Sequence, residues 1–389
     1  MGLGLLPFDY GARNMGRSPL RLVLGVTGSG LVVLLVLAAA AFVRGMGESL
    51  GGSGEHRNVL LLGAGSEESI ERSEIGRRVA GIATASIAGI RRRAGVAYVS
   101  PEAHVALVVK PAGRQGEGAL GNFRGVQPEA FLVHPQVRIT EGRAPGPGEV
   151  LVGRLAPARM GLPPEALAPG AVIHVAERDW TVVGRFAAPG SVMEAELWCG
   201  LQELLVATRR ETVSCVVLTL EDGSEVADVA LFTKQRLDLE LVALSERDYY
   251  AKVMAFYGPV RTMVWATALL VAAGAFFGGL NTLYAAFASR VRELAALQVL
   301  GYTRPALLVA LVQESVLTAA AGSLLASAVA LSLLDGVAVR ISMGAFGLVV
   351  DEVVMVTGLG AGLALGVLGA LPPAVRALRM PVAQGLKAL

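Results

Sequence analysis

The chain has 389 residues, 53% hydrophobic and 17% charged, with a net charge of +2 and a mean hydropathy of +0.57. Soluble domains carry about a quarter charged residues, so this composition excludes an ordinary cytosolic enzyme. The near-neutral balance is silent on nucleic acid, and no basic patch interleaved with aromatics points to it.

Charge is depleted unevenly along the chain. Residues 1–21 are a cytoplasmic N-terminal segment carrying Arg13, Arg17 and Arg21. A run over 22–43 follows, and further runs over 262–289, 306–334 and 353–375 are nearly free of charge. Each reaches the roughly 20 residues that a helix needs to cross about 30 Å of hydrocarbon. The spans are placed at 22–43, 259–285, 306–334 and 353–375. The start also resembles a signal peptide, but its apolar run exceeds the usual core of about 7–15 residues, so an uncleaved anchor is expected.

Between the first two spans, 44–258 reads as a water-exposed domain. GMGESLGGSGEHRN at 45–58 is a Gly/Ser-rich exit from the membrane, and VLLLGAG is a strand. Polar residues Ser66 to Ser73 open a helical pattern expected to run to about Ile90. GVAYVS, HVALVVK, FLVHPQVRI, EVLVG, AVIHV, DWTVVGRF and TVSCVVLTL are short β-rich runs punctuated by Pro, Gly and Asp. ELWCGLQELLVAT is expected to be a helix. The fold class is therefore a membrane protein of four transmembrane helices, with an α+β extracytoplasmic domain inserted between helices 1 and 2.

His56, His104, His134 and His174 are dispersed over strands and loops without ligand-like spacing, so each is read as an ordinary surface or strand residue and no metal is expected. No GxSxG, HExxH or paired-carboxylate motif marks a catalytic site, and no cofactor is implied. Cys199 and Cys215 lie outside the cytoplasm, where oxidation is possible, yet both sit in apolar contexts typical of buried thiols. Pairing stays open.

Basic residues favour the cytoplasmic flanks of spans. Arg290, Arg292 and Arg304 lie between the second and third spans, and Arg376, Arg379 and Lys387 follow the fourth, so both termini and the 286–305 loop face the cytoplasm. The segment 335–352 is then a short extracytoplasmic loop, and 376–389 a cytoplasmic tail. Within 286–305, Phe287, Val291, Leu294 and Ala295 recur at helical intervals, as in an amphipathic helix lying at the membrane surface. Small residues recur at four-residue spacing at Gly274 and Gly278, at Gly358, Gly362 and Gly366, and at Ala319, Ser323 and Ser327, as in helices that pack closely in lipid. Glu314 is the one acid well inside a span, so a structural hydrogen-bond partner is expected for it.

The stretch RVRELAALQVLGYTR at 290–304, followed by Glu314-Ser315, resembles the cytoplasmic loop of FtsX-like permease domains. These occur in MacB-type ABC transporters, lipoprotein-release permeases and the cell-division permease FtsX. Arg290, Arg292, Glu293, Leu297, Leu300, Gly301, Thr303 and Arg304 supply the pattern, with Tyr302 where the family has a small residue. DYGARNMGRSPLR at 9–21 resembles the family's N-terminal amphipathic helix, and LPPAVRALRMPVAQGLKAL at 371–389 its closing element. FRGVQPEAF, ITEGRAPGPGEVLVG and WTVVGRF resemble a MacB-like periplasmic core domain.

The resemblance implies a permease subunit of an ABC transporter in the cytoplasmic (inner) membrane. It makes 286–305 a coupling helix, with Arg290, Arg292, Glu293, Leu294, Leu297 and Gly301 as the ATPase-coupling residues. No GxxxxGK[ST] occurs, and GVTGSG at 25–30 lacks the lysine, so a separate ATPase is required. Such ATPases work as dimers, which implies a second copy or a paralogue of this subunit. Membrane lipid and an envelope adaptor or carrier are the remaining implied partners. Export or extraction of an envelope substrate is the first expectation. The alternative is a signal transducer that switches on an envelope partner such as a peptidoglycan hydrolase.

Overall fold

The structure, a computed structural model, describes residues 19–112, 118–341 and 344–387. Most of the basic segment at 1–21 therefore lies outside the described residues. The described chain divides into two compact units: a helical one made of residues up to Arg44, Pro259–Val337 and the chain from Leu348 onward, and a mixed one made of Gly45–Gly258 with Ala338–Gly347.

The chain begins in helix α1 (Pro19–Gly51), which passes from the first unit into the second. Ten strands of the second unit then form one sheet: β1 (Asn58–Gly63), β2 (Val99–Pro111), β3 (Ala119–Val126), β4 (Arg138–Gly142), β5 (Glu149–Gly153), β6 (Val172–Val175), β7 (Arg178–Ala187), β8 (Glu196–Gly200), β9 (Cys215–Thr219) and β10 (Leu241–Ser245). Their order is β10-β1-β9-β2-β3-β8-β5-β7-β4, and β6 bridges β7 and β2. That bridge closes β2, β3, β8, β5, β7 and β6 into a barrel, which removes free edges from those strands. The longer helices of this unit after α1 are α2 (Val79–Ser86), α3 (Leu201–Thr208), α4 (Val226–Gln235) and α5 (Glu246–Phe256).

The sequence periods explain these elements. Along β7, Trp180, Val182, Gly184 and Phe186 are buried at alternate positions, as a strand with one face on a core requires. The first half of β2 is buried at every residue, where it pairs with β9; its second half, paired with β3, shows a looser pattern. The helix expected over 196–208 is a correction: Glu196–Gly200 is strand β8, and only Leu201–Thr208 is helical. Leu197, Trp198 and Cys199 are buried on both sides, and a continuous apolar run this short has no period that separates strand from helix. The helix expected from Ser66 to Ile90 shrinks to α2. The Ser69, Arg72 and Ser73 amides bond carbonyls three residues back, as in turns, and the Ile70 amide donates to the Tyr249 hydroxyl instead of a helical carbonyl.

The first unit contains α6 (Gly258–Ala288), α7 (Val291–Val299), α8 (Arg304–Leu333), α9 (Glu352–Arg379) and α10 (Val382–Lys387). Among the described residues, four helices are long and apolar enough to cross a membrane: Leu22–Gly51, Gly258–Ala288, Arg304–Leu333 and Glu352–Arg379. Helices α1, α8 and α9 meet through small residues. A Cβ at Gly30 would lie 3.2 Å from the Gly322 carbonyl oxygen, and one at Gly366 2.9 Å from Val316 Cα. A Cβ at Gly362 would overlap Ser323 Oγ, and one at Gly358 would overlap Leu37.

Gly274 and Gly278 of α6 meet nothing within 4 Å of a Cβ position. α6 is buried only at Ala268, Ala286 and Phe287, and an apolar gap of about 420 Å³ lies between part of it and α1, α8 and α9. Gly362→Leu should therefore destabilise the protein by about 1–3 kcal/mol, the usual cost of overpacking, while Gly278→Leu leaves it unchanged. Thermal melts of the detergent-solubilised variants check this, and equal shifts would contradict the packing.

The segment read as a short loop at 335–352 contains a hairpin, Ala338–Ile341 paired with Gly344–Gly347, that belongs to the second unit. Ala345 packs with Leu155 and Ala195, and Arg340 Nη1 donates to the Arg159 carbonyl over 3.3 Å. The chain thus returns to the inserted domain between the third and fourth spans.

Candidate functional site

Helix α7 lies in the short link between α6 and α8. Val291, Leu294 and Ala295 are buried, one face at helical spacing, and Leu294 packs with Ala286, Phe287, Leu307, Leu311 and Leu378. The helix ends in a Schellman motif. Gly301 stands at φ +99°, its amide donates to the Gln298 carbonyl over 3.1 Å, and the Tyr302 amide donates to the Leu297 carbonyl over 3.2 Å. Glycine tolerates that left-handed geometry without a Cβ penalty. Thr303 then caps α8 by accepting from the Ala306 amide, and Pro305 lies in its first turn.

The predicted site residues separate into two groups. Arg290 is only 8% exposed; its Nε donates to Glu293 (3.1 Å) and its Nη1 to Glu314 (2.9 Å). Glu314 inside the third span is thus hydrogen-bonded to the residue that opens α7. Burial opposes the charge on Arg290, but Glu314 and then Glu293 outweigh it and raise its pKa. With Leu294, this pair ties α7 to the bundle. Gly385 of α10 sits against Ala295 and Val291 on the same inward side. Leu297 and Glu293 are half-buried, whereas Arg292 and Gly301 are exposed. Beside them Val299 (64% exposed) and Leu300 (67%) present bare apolar side chains, with Arg304 close in sequence. Spacing alone had not separated the inward face from the outward one.

The inserted domain holds a second charged constellation, which sequence reading did not find. Glu102 on β2 is wholly buried. It accepts from Ser100 Oγ (2.9 Å), Arg124 Nη1 (2.8 Å) and the His134 imidazole at Nε2 (2.8 Å). Arg124 on β3 also donates to both oxygens of Glu196, at 2.7 and 2.8 Å, and lies 5.4 Å over the Trp198 ring, whose indole donates to Glu196. Asn58 joins Glu246, at the start of α5, to the Val133 carbonyl. Burial works against every charge here, but His134 and Arg124 hold the Glu102 carboxyl well below the usual range, and Glu102 raises His134. Burial keeps Glu246 above its ordinary value.

Of the four histidines read as surface or strand residues, His134 is a correction, being buried just beyond the short helix Ala130–Val133; His104 is a buried residue of strand β2, and His56 and His174 are exposed. The residues come from six distant segments and form no motif. The one local signal was charge inside apolar strands, Glu102 before Ala103 and Arg124 after Phe123, because a buried charge demands a partner.

Glu102, His104 and Cys215 bring potential metal-ligand atoms within 4.8 Å of one another. The Arg124 guanidinium already occupies Glu102, and burial raises the Cys215 thiol well above its ordinary pKa, so this corner suits a hydrogen-bond network rather than a cation. Cys199 and Cys215 are free, buried thiols.

The FtsX-like permease C-terminal family matches residues 265–382, and the MacB-like periplasmic core domain family matches 22–231, more than half of the chain. The chain belongs to the FtsX-like permeases with a MacB-like periplasmic core domain. No curated protein matches this permease. Among solved structures, it is similar to the periplasmic region of MacB from Actinobacillus actinomycetemcomitans, at 12% identity over 52% of this chain and 94% of that one, with a TM-score of 0.39. It is also similar to the extracellular domain of the noncanonic ABC-type transporter YknZ from Gram-positive bacteria, at 11% identity over 48% of this chain and 99% of that one, with a TM-score of 0.37. The permease is a multi-pass membrane protein with an extracytoplasmic α+β domain between its first two spans, and its role is that of an ABC-type permease.

Proposed function

We propose that this permease is a non-catalytic subunit that lies in the cytoplasmic membrane with both termini inside. There it converts ATP hydrolysis by a separate ATPase dimer into movement of its extracytoplasmic domain, expelling or extracting an envelope substrate. Two copies, or one copy and a paralogue, would face the two ATPase subunits. Export is favoured over pure signalling by the large inserted domain over 44–258 with its MacB-like core.

What supports the coupling role is the division of α7. Its inward face is held by Arg290 and Leu294, and its outward face carries Arg292, Val299 and Leu300 into solvent. An amphipathic helix anchored on one side and apolar on the other suits a groove in a partner protein. Leu300→Asp and Val299→Asp should each weaken ATPase binding by about 30-fold, the loss of about 2 kcal/mol typical of an interface anchor. Stimulated ATP hydrolysis should fall accordingly, while insertion and melting temperature stay unchanged. Stimulation that survives both substitutions would refute the assignment. Affinity capture of an envelope hydrolase in place of a channel, adaptor or carrier protein would favour the transducer.

A further inference from the structure

The extracytoplasmic domain contains a cleft of about 160 Å³ that the coupling role does not use. Its wall is largely apolar and aromatic, with Leu50, Phe123, Tyr249, Val253 and Phe346 among the lining side chains. Its polar groups are unequal. Arg124 and Glu196 line the cleft but spend their charges on each other. Glu71 lines it too, half-buried, and among the described residues no hydrogen bond reaches its carboxylate. Tyr250 is 91% buried (9% exposed) and borders the same space, and its hydroxyl makes no hydrogen bond among the described residues. A hydroxyl on a largely buried side chain that borders a cavity without a protein partner marks a place where a ligand atom would sit.

The charge of that ligand follows from Glu71. Burial raises its carboxyl pKa, and the opposing influence of Arg159 comes without a hydrogen bond. Arg159 is itself buried, and its Nε and Nη1 are without partners. Tyr249 lines the same cleft as Glu71, so a cation beside this carboxylate would also meet an aromatic wall. Arg159 does not line the cleft, and Arg124, which does, is already paired with Glu196, so an anion entering it would meet the Glu71 carboxylate instead. In size, an apolar cavity of about 150 Å³ admits benzene.

We propose that this cleft is a binding site for a small organic cation: an alkyl- or arylalkylammonium whose charge meets Glu71, whose apolar part lies against Tyr249, Phe123 and Phe346, and whose second polar group bonds to Tyr250. The site is independent of the coupling helix, and its failure would leave the proposed function standing.

The test uses the full chain in dodecyl maltoside micelles, which carry no amine, titrated with 4-fluorobenzylamine and followed by fluorine NMR. Binding should saturate at one site. Glu71→Gln should weaken it at least about tenfold, the loss of one charge-assisted hydrogen bond, and the neutral 4-fluorobenzyl alcohol should bind both proteins equally weakly. Val253→Trp, which fills the cleft and leaves Glu71 in place, should abolish binding without lowering the melting temperature. Competition by added phosphatidylethanolamine would identify a lipid headgroup as the cation, and its absence a soluble amine. Non-saturable uptake, or affinity indifferent to Glu71→Gln or Val253→Trp, would overturn the proposal, as it would if Glu71 and Arg159 simply pair in solution.

Discussion

Glu102→Ala should unfold or loosen the extracytoplasmic domain at a cost of about 3–5 kcal/mol, because it leaves Arg124 and His134 buried around a missing carboxylate. Backbone amide exchange in β2, β3 and β8 should accelerate by about two to four orders of magnitude, while peptides from the four spans keep their protection. Glu102→Gln, which keeps the shape and part of the hydrogen bonding, should cost less.

The effect should depend on pH with a definite sign. Glu102 has a folded pKa below 4.5, so its contribution is present above about pH 4.5 and disappears as pH falls through the lower folded value. His134 has a folded pKa above 6.5, so its contribution is present below about pH 6.5 and disappears as pH rises through the higher folded value. The wild-type domain should therefore lose stability on both sides of a mildly acidic window. In Glu102→Ala the alkaline loss should begin at lower pH, because the group that raises His134 is gone. Titration of the His134 imidazole by NMR reads this directly. An unchanged His134 pKa in the variant would mean that the network does not hold the charge as described.

Arg290→Ala should lower partner-stimulated ATP hydrolysis as strongly as substitutions on the exposed face of α7, by a different route. It removes the guanidinium that joins Glu293 on α7 to Glu314 in the third span, and so frees the helix to tilt. Breaking a buried ion pair costs about 3–5 kcal/mol, discounted here because Glu293 is about a third exposed. Arg290→Ala should therefore reduce both melting temperature and stimulation, whereas Leu300→Asp reduces stimulation alone. Glu314→Ala should resemble Arg290→Ala, and the double variant should be little worse than either, since both remove the same link. Additive losses would show that Arg290 and Glu314 act separately. Arg290→Lys keeps the charge but cannot form the two-armed contact, so only partial recovery is expected.

Four membrane-length helices and the domain inserted after the first were legible in the chain as written, although the first helix runs on to Gly51, past the residue 43 expected. Hydrocarbon thickness imposes a run length, and Gly301, Thr303 and Pro305 act on backbone groups only a few residues away; such signals are local. Period-two alternation likewise marked DWTVVGRF as a strand. The misreadings came where a local signal was ambiguous or absent. Leu197 and Cys199 are buried in one apolar cluster and Trp198 in another, so this strand is covered on both faces, and the polar stretch from Ser66 is a succession of turns pinned at Ile70 by the distant Tyr249 hydroxyl. Nothing near Gly274 or Gly362 in sequence says which glycine ridge has a neighbour, because that depends on where the other helices lie. Nor do Glu102, Arg124, His134, Glu196 and Glu246 signal one another across the chain. Their charges become tolerable only when sheet pairing brings them within hydrogen-bond distance, and pairing between remote segments is information that no short stretch contains.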